Sequence, residues 1–73
     1  MAIIEVKTEI TGNVWKIVAS VGDALSEDDP ILILESMKME IPVAAPEDGK
    51  LVEILVAEGD VAKEGQVVAR IEV

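Results

Sequence analysis

Apolar and polar residues alternate along most of the chain with a period of two, the pattern of strands that bury one face. Trp15, Ile17 and Ala19 alternate with Val14, Lys16 and Val18, and further on Val52, Ile54 and Val56 alternate with Leu51, Glu53 and Leu55. Charged Lys16 and Glu53 mark the outer set in each segment. That assigns Trp15, Ile17, Ala19, Val52, Ile54 and Val56 to the core and leaves Val14 and Leu51 outside. The same reasoning puts Leu32, Leu34, Ala69 and Ile71 inside, with Ile33, Glu35, Arg70 and Glu72 outside. Gly22-Asp23 and Gly59-Asp60 are turn signals. Each precedes a short segment ending in a second polar cluster, Glu27 to Asp29 or Lys63 to Gly65.

These paired features belong to an internal repeat. Residues 12–35 align with residues 49–72 at a constant offset of 37, without a gap. Gly12 falls on Gly49, Ile17 on Ile54, Gly22 on Gly59, Asp23 on Asp60, Glu27 on Glu64 and Glu35 on Glu72, while Val14 with Leu51, Val18 with Leu55 and Leu34 with Ile71 agree in type. The offset extends backwards to pair Ile4 with Ile41 and Val6 with Val43, so each unit begins with a further strand. A unit this short cannot bury its apolar face alone, which predicts two halves packed around a pseudo-two-fold axis.

The composition of Ile31 to Met39 would suit a helix, but Pro30 before it, Pro42 after it and its match to residues 67–72 favour a strand entering a turn. The expectation is an all-β flattened barrel or sandwich of two quasi-symmetric four-stranded halves, with about seven or eight short strands and almost no helix.

Seventy-three residues allow one domain, 1–73, and leave no room for a separate catalytic one. A chain this size buries only roughly 60% of its unfolded surface, and here the core is aliphatic, since Trp15 is the sole aromatic residue. Six basic residues against fifteen acidic ones give a net charge of −9. Nucleic acid is therefore not an expected partner, because phosphate binding needs clustered Lys or Arg. With neither Cys nor His there is no thiol nucleophile, imidazole base, disulfide or usual zinc set, and the carboxylates lack a metal-loop spacing. No apolar run approaches the roughly 18 residues of a membrane helix and the N-terminus lacks a leader pattern. A cytoplasmic protein without membrane contact is expected, and Met1 with compact ends favours a free-standing chain.

The repeat leaves one piece over: Ser36, Met37, Lys38 and Met39, which join the last strand of the first unit to the first strand of the second. Pseudo-symmetry puts this hairpin at one end of the domain and the chain termini at the other. A lone turn lysine is ordinarily just solvated. Its neighbours change that picture, because a hairpin tip has little core for Met37 or Met39, which alternation places on a common side. They form a small exposed apolar patch, and polarizable Met side chains suit a surface that several partners must recognise.

The run Glu35, Ser36, Met37, Lys38, Met39, Glu40 resembles the biotinylation motif of the biotin carboxyl carrier family, and Gly12 to Lys16 is similar to its small free-standing biotin/lipoyl attachment proteins. The resemblance covers the whole chain. It implies a flattened β-barrel of two four-stranded halves with Lys38 on an exposed hairpin, holding biotin as a covalent cofactor attached by a biotin protein ligase. Met37 and Met39 would serve recognition and positioning, and Glu35 and Glu40 would contact the ligase. The domain, not catalytic by itself, would then shuttle a carboxyl group from biotin carboxylase to carboxyltransferase. Family members often have Ala where Ser36 stands and a Pro-rich approach where this chain reads Glu9, Ile10, Thr11, Gly12. The gap-free repeat leaves no room for the protruding thumb of some carriers. Two rival readings differ at the tip: a lipoyl carrier typically has Asp and Ala in place of Met37 and Met39, and a non-carrier interaction domain of this shape needs no Met-Lys-Met.

Overall fold

The computed structural model describes residues 2–73, which form eight strands and no helix. In chain order they are β1 (Ile3–Lys7), β2 (Gly12–Ile17), β3 (Ala24–Leu25), β4 (Pro30–Ser36), β5 (Met39–Ala44), β6 (Gly49–Ile54), β7 (Val61–Ala62) and β8 (Val67–Glu72). The segment Ile31 to Met39 is extended and then turns, as its prolines require. Strands β2 and β3 recur as β6 and β7 at the 37-residue offset, and β1 and β4 recur as β5 and β8 with ends shifted by at most one residue.

Two four-stranded antiparallel sheets result, ordered β1-β8-β6-β3 and β5-β4-β2-β7. They face each other as a sandwich and do not close into a barrel. Neither sheet is one repeat unit. Each takes its two central strands from one half and both edges from the other, so the halves interlock. Backbone hydrogen bonds fasten the exchange: Gly22 N donates to Leu51 O (2.7 Å) and Leu51 N to Asp23 O (2.9 Å), while Gly59 N donates to Val14 O (2.8 Å) and Val14 N to Asp60 O (2.7 Å). Those glycines have φ of 102° and 96°, a region that side chains disfavour. The carboxylates of Asp23 and Asp60 close the two turns by accepting from Ser20 N and Ala57 N, both at 2.9 Å.

The core contains Val6, Val14, Leu25, Ile31, Leu32, Leu34, Val43, Leu51, Val68, Ala69 and Ile71. Leu32, Leu34, Ala69 and Ile71 are inside, as alternation predicts. Val14 and Leu51 reverse the expectation by being buried, and Trp15 reverses it by being exposed, with Val52 half-buried. The cause is a β-bulge at the same point of each repeat. The register of β2 on β4 shifts between Val14 and Lys16, and that of β6 on β8 between Leu51 and Glu53. A bulge sets two residues opposite one and breaks the inside-outside alternation, so Trp15 and Lys16 both face out and Ile17 turns back inward. A second pair of bulges, at Ile31 and Val68, gives the successive buried pairs Ile31-Leu32 and Val68-Ala69.

The approach to Gly12 is held by side chains rather than by proline. Buried Thr8 donates its hydroxyl to Ile10 O (2.8 Å) and accepts from Ile10 N, and Thr11 Oγ1 accepts from Glu64 N (2.9 Å). In the second half Asp48 Oδ1 takes the place of Thr11 Oγ1 by accepting from Glu27 N (2.8 Å). At the chain ends, Ala2 and Val73 exchange two backbone hydrogen bonds (3.1 and 2.9 Å). By the offset of 37 these residues correspond to Met39 and Ser36, the pair that closes the β4–β5 hairpin.

Candidate functional site

Strands β4 and β5 pair from Pro30 with Ala44 up to Ser36 with Met39, which leaves Met37 and Lys38 as a two-residue turn. Both have left-handed backbones, with φ of 51° and 65°, the signature of a type I′ turn, whose twist matches that of the flanking strands. Such turns usually take Asn or Gly. A side chain with a Cβ costs roughly 1–2 kcal/mol in this region, and strained backbone of this kind clusters at functional sites. The only other non-glycine residue with positive φ among those described is Asp28, whose repeat counterpart is Gly65 (φ 83°). A tight turn thus carries two long side chains where small residues would be cheaper.

Lys38 is exposed, and among the described residues no carboxylate comes within ion-pair distance of it; the ion pairs present are those of Arg70 with Glu5 and Glu53. Met37 is 91% exposed and Met39 58%. Strand alternation does not reach Met37, because the turn and not a strand sets its direction. Both methionines form the apolar collar expected at the tip. Glu35 and Glu40 are exposed and directly opposed in the ladder below the turn, so the strands bring together the five residues singled out in the sequence.

The site is convex. A shallow cleft of about 120 Å³ between the end of β1 and strand β5 is lined by Thr8, Ile10, Ile41 and Pro42 among others, and does not include Lys38. No group of three or more metal-ligating side chains occurs among the described residues. The tip presents an exposed primary amine. Its supports include a residue that alternation did not single out for this role. A Cβ on Gly12 would lie 2.9 Å from Glu35 O and 3.4 Å from Leu34 Cβ, so β2 can pack this closely on the hairpin only with glycine there. The signal available in the sequence was its recurrence as Gly49.

A search of protein families matches residues 3–71 to the family described as Biotin-requiring enzyme, the biotin/lipoyl domain. The chain is 42% identical over 62 residues to the Biotin/lipoyl attachment protein of Bacillus subtilis, covering 85% of each chain. It is also 42% identical over 65 residues to the Biotinylated protein TB7.3 homolog of Mycobacterium leprae, covering 89% of this chain and 92% of that one. Among solved structures, the urea carboxylase of Kluyveromyces lactis superposes with a TM-score of 0.93 at 39% identity, over 99% of this chain and 6% of that enzyme. The chain is thus similar both to small free proteins and to a small part of a large one. With the two-sheet fold, the lysine-bearing hairpin and the family match in agreement, the chain belongs to the biotin/lipoyl attachment family of biotin-requiring enzymes.

Proposed function

We propose that Lys38 is the biotinylated residue and that the domain serves as the carboxyl carrier of a biotin-dependent carboxylase, without catalysing a step itself. The observation that carries this reading is the left-handed Met37-Lys38 turn, which holds an exposed, unpaired amine between two exposed methionines. The amine fits acylation. In its deprotonated form Nζ attacks the acyl carbon of biotinyl-adenylate on a biotin protein ligase; the new C–N bond replaces the acyl–phosphate bond, and AMP and a proton leave.

An alkyl ammonium has no lone pair with which to attack; the domain has neither His nor Cys, and this reading assigns the deprotonation to the ligase. Met37 and Met39 supply apolar contact at the tip, and Glu35 and Glu40 supply charge beside it. When bound, biotin supplies the carboxyl-carrying chemistry, received at a biotin carboxylase and delivered at a carboxyltransferase. The chain's own contribution is a rigid support that keeps the tethered group at high effective concentration near each site.

Incubation with a biotin protein ligase, ATP and biotin is expected to raise the intact mass by one biotinyl group, with no gain in Lys38→Arg. No gain in the wild type would overturn the biotin assignment. A gain from lipoate with lipoate ligase, but none from biotin, would assign the hairpin to lipoyl transfer instead.

A further inference from the structure

The pseudo-two-fold axis gives this molecule an internal control: two outer sheet faces with the same strand order and the same bulges. What differs between them is not dictated by the fold. On the β1-β8-β6-β3 face, Arg70 sits between Glu5 and Glu53, with Arg70 NH2 3.6 Å from Glu5 Oε2 and Arg70 NH1 hydrogen-bonded to Glu53. On the other face the equivalent positions are Pro42, Ile33 and Lys16, neighbours across β5, β4 and β2. The bulge residue is Val52 on the ionic face and Trp15 on the apolar one. Trp15 is 48% exposed, and Val61, on the adjacent edge strand β7, is 57% exposed.

In a chain with one aromatic residue, placing it on the outside forfeits its value to the core. Bulges re-aim side chains next to functional sites, and a half-exposed Trp on a sheet face that also carries Ile33, Pro42 and Val61, with Lys16 beside it, has the make-up of an interface anchor. The apolar face is also continuous with the reactive hairpin, because Ile33 and Pro42 lie on the two strands that carry Met37 and Lys38. Between patch and tip stand Glu35 and Glu40.

We propose that the outer face of the β5-β4-β2-β7 sheet, anchored by Trp15 with Ile33, Pro42 and Val61, is the docking surface for the enzyme that acylates Lys38. This rests on the carrier reading above. The partner's complementary surface is an apolar recess rimmed by Lys or Arg that meets Glu35 and Glu40, matching the net charge of −9 and steering encounter. The opposite face carries the Glu5–Arg70–Glu53 cluster at the equivalent positions and is left to solvent.

The two equivalent bulges give a matched test. Trp15→Ser is expected to lower kcat/KM for biotinylation by about ten- to thirtyfold, chiefly through KM, while Val52→Ser leaves it within about twofold. Because both changes fall at the same backbone feature, a general loss of folding would appear in both. In the wild type labelled with 5-fluorotryptophan, the single 19F resonance is expected to shift on titration with ligase lacking ATP. A wild type that is biotinylated with an unmoved resonance, or Trp15→Ser matching wild-type kcat/KM, would overturn the docking face alone. Failure of the wild type to be biotinylated overturns the carrier reading and this surface with it.

Discussion

Glu35 and Glu40 are paired directly across the β4–β5 ladder, one step below Ser36 and Met39 and two below Lys38. Like charges so placed are destabilising, and no cation in the described ion pairs relieves them. Replacing one with a neutral isostere, Glu40→Gln, is expected to raise the urea midpoint, by less in high salt. If the pair serves partner recognition, the same variant is biotinylated more slowly and with a weaker salt dependence. An unchanged rate and salt dependence would leave the two carboxylates without a role in docking.

The turn is expected to show the same opposition between stability and use. Met37→Gly removes a Cβ from a φ of 51° and should stabilise the fold by up to about 1 kcal/mol, the left-handed strain less the entropy that glycine adds to the unfolded chain. It also removes a side chain that is 91% exposed at the tip, so biotinylation kcat/KM should fall. Equilibrium urea unfolding and initial rates on one preparation check both; a stabilised variant modified as fast as the wild type would confine Met37 to the turn.

Gly12 and Gly49 form a third test. A Cβ on Gly49 would lie 2.6 Å from Glu72 O and 3.0 Å from Val73 Cγ1, against 2.9 Å from Glu35 O for Gly12. Each Gly→Ala change is expected to destabilise by about 1–3 kcal/mol, the range for forced overpacking. Their local effects differ. Gly12→Ala presses on the hairpin strand and should shift the amide resonances of Ser36 to Met39, whereas Gly49→Ala should shift those near the chain ends. Identical shift patterns would disprove a strand-specific contact.

Much of this architecture could be read before any coordinates. Strands, turns and the leftover segment at Lys38 all followed from a period of two and an offset of 37, because both record burial and duplication directly. Trp15 and Val14 were misplaced because a bulge adds a residue without changing the composition around it, and a period counted through it comes out inverted. The unclosed edges of the sandwich also left no mark on alternation, which reports faces and not their joining. Thr8 and Thr11 look like ordinary polar loop residues until their partners Ile10 and Glu64 are known. The charge contrast between the two outer faces lay in plain view at Glu5, Arg70 and Glu53 against Pro42, Ile33 and Lys16. It acquired meaning only when the sheet order made the two triplets equivalent.

The backbone bonds between Ala2 and Val73 repeat the closure between Ser36 and Met39. In topological terms the molecule is nearly a ring, opened at one of two interchangeable corners. Bridge Val73 to Ala2 with a short turn and open the chain at Met37-Lys38, and a circular permutant arises with every strand pairing kept and Lys38 moved to a terminus. What sets the two corners apart is the identity of the residues that span them, and the scaffold itself is indifferent.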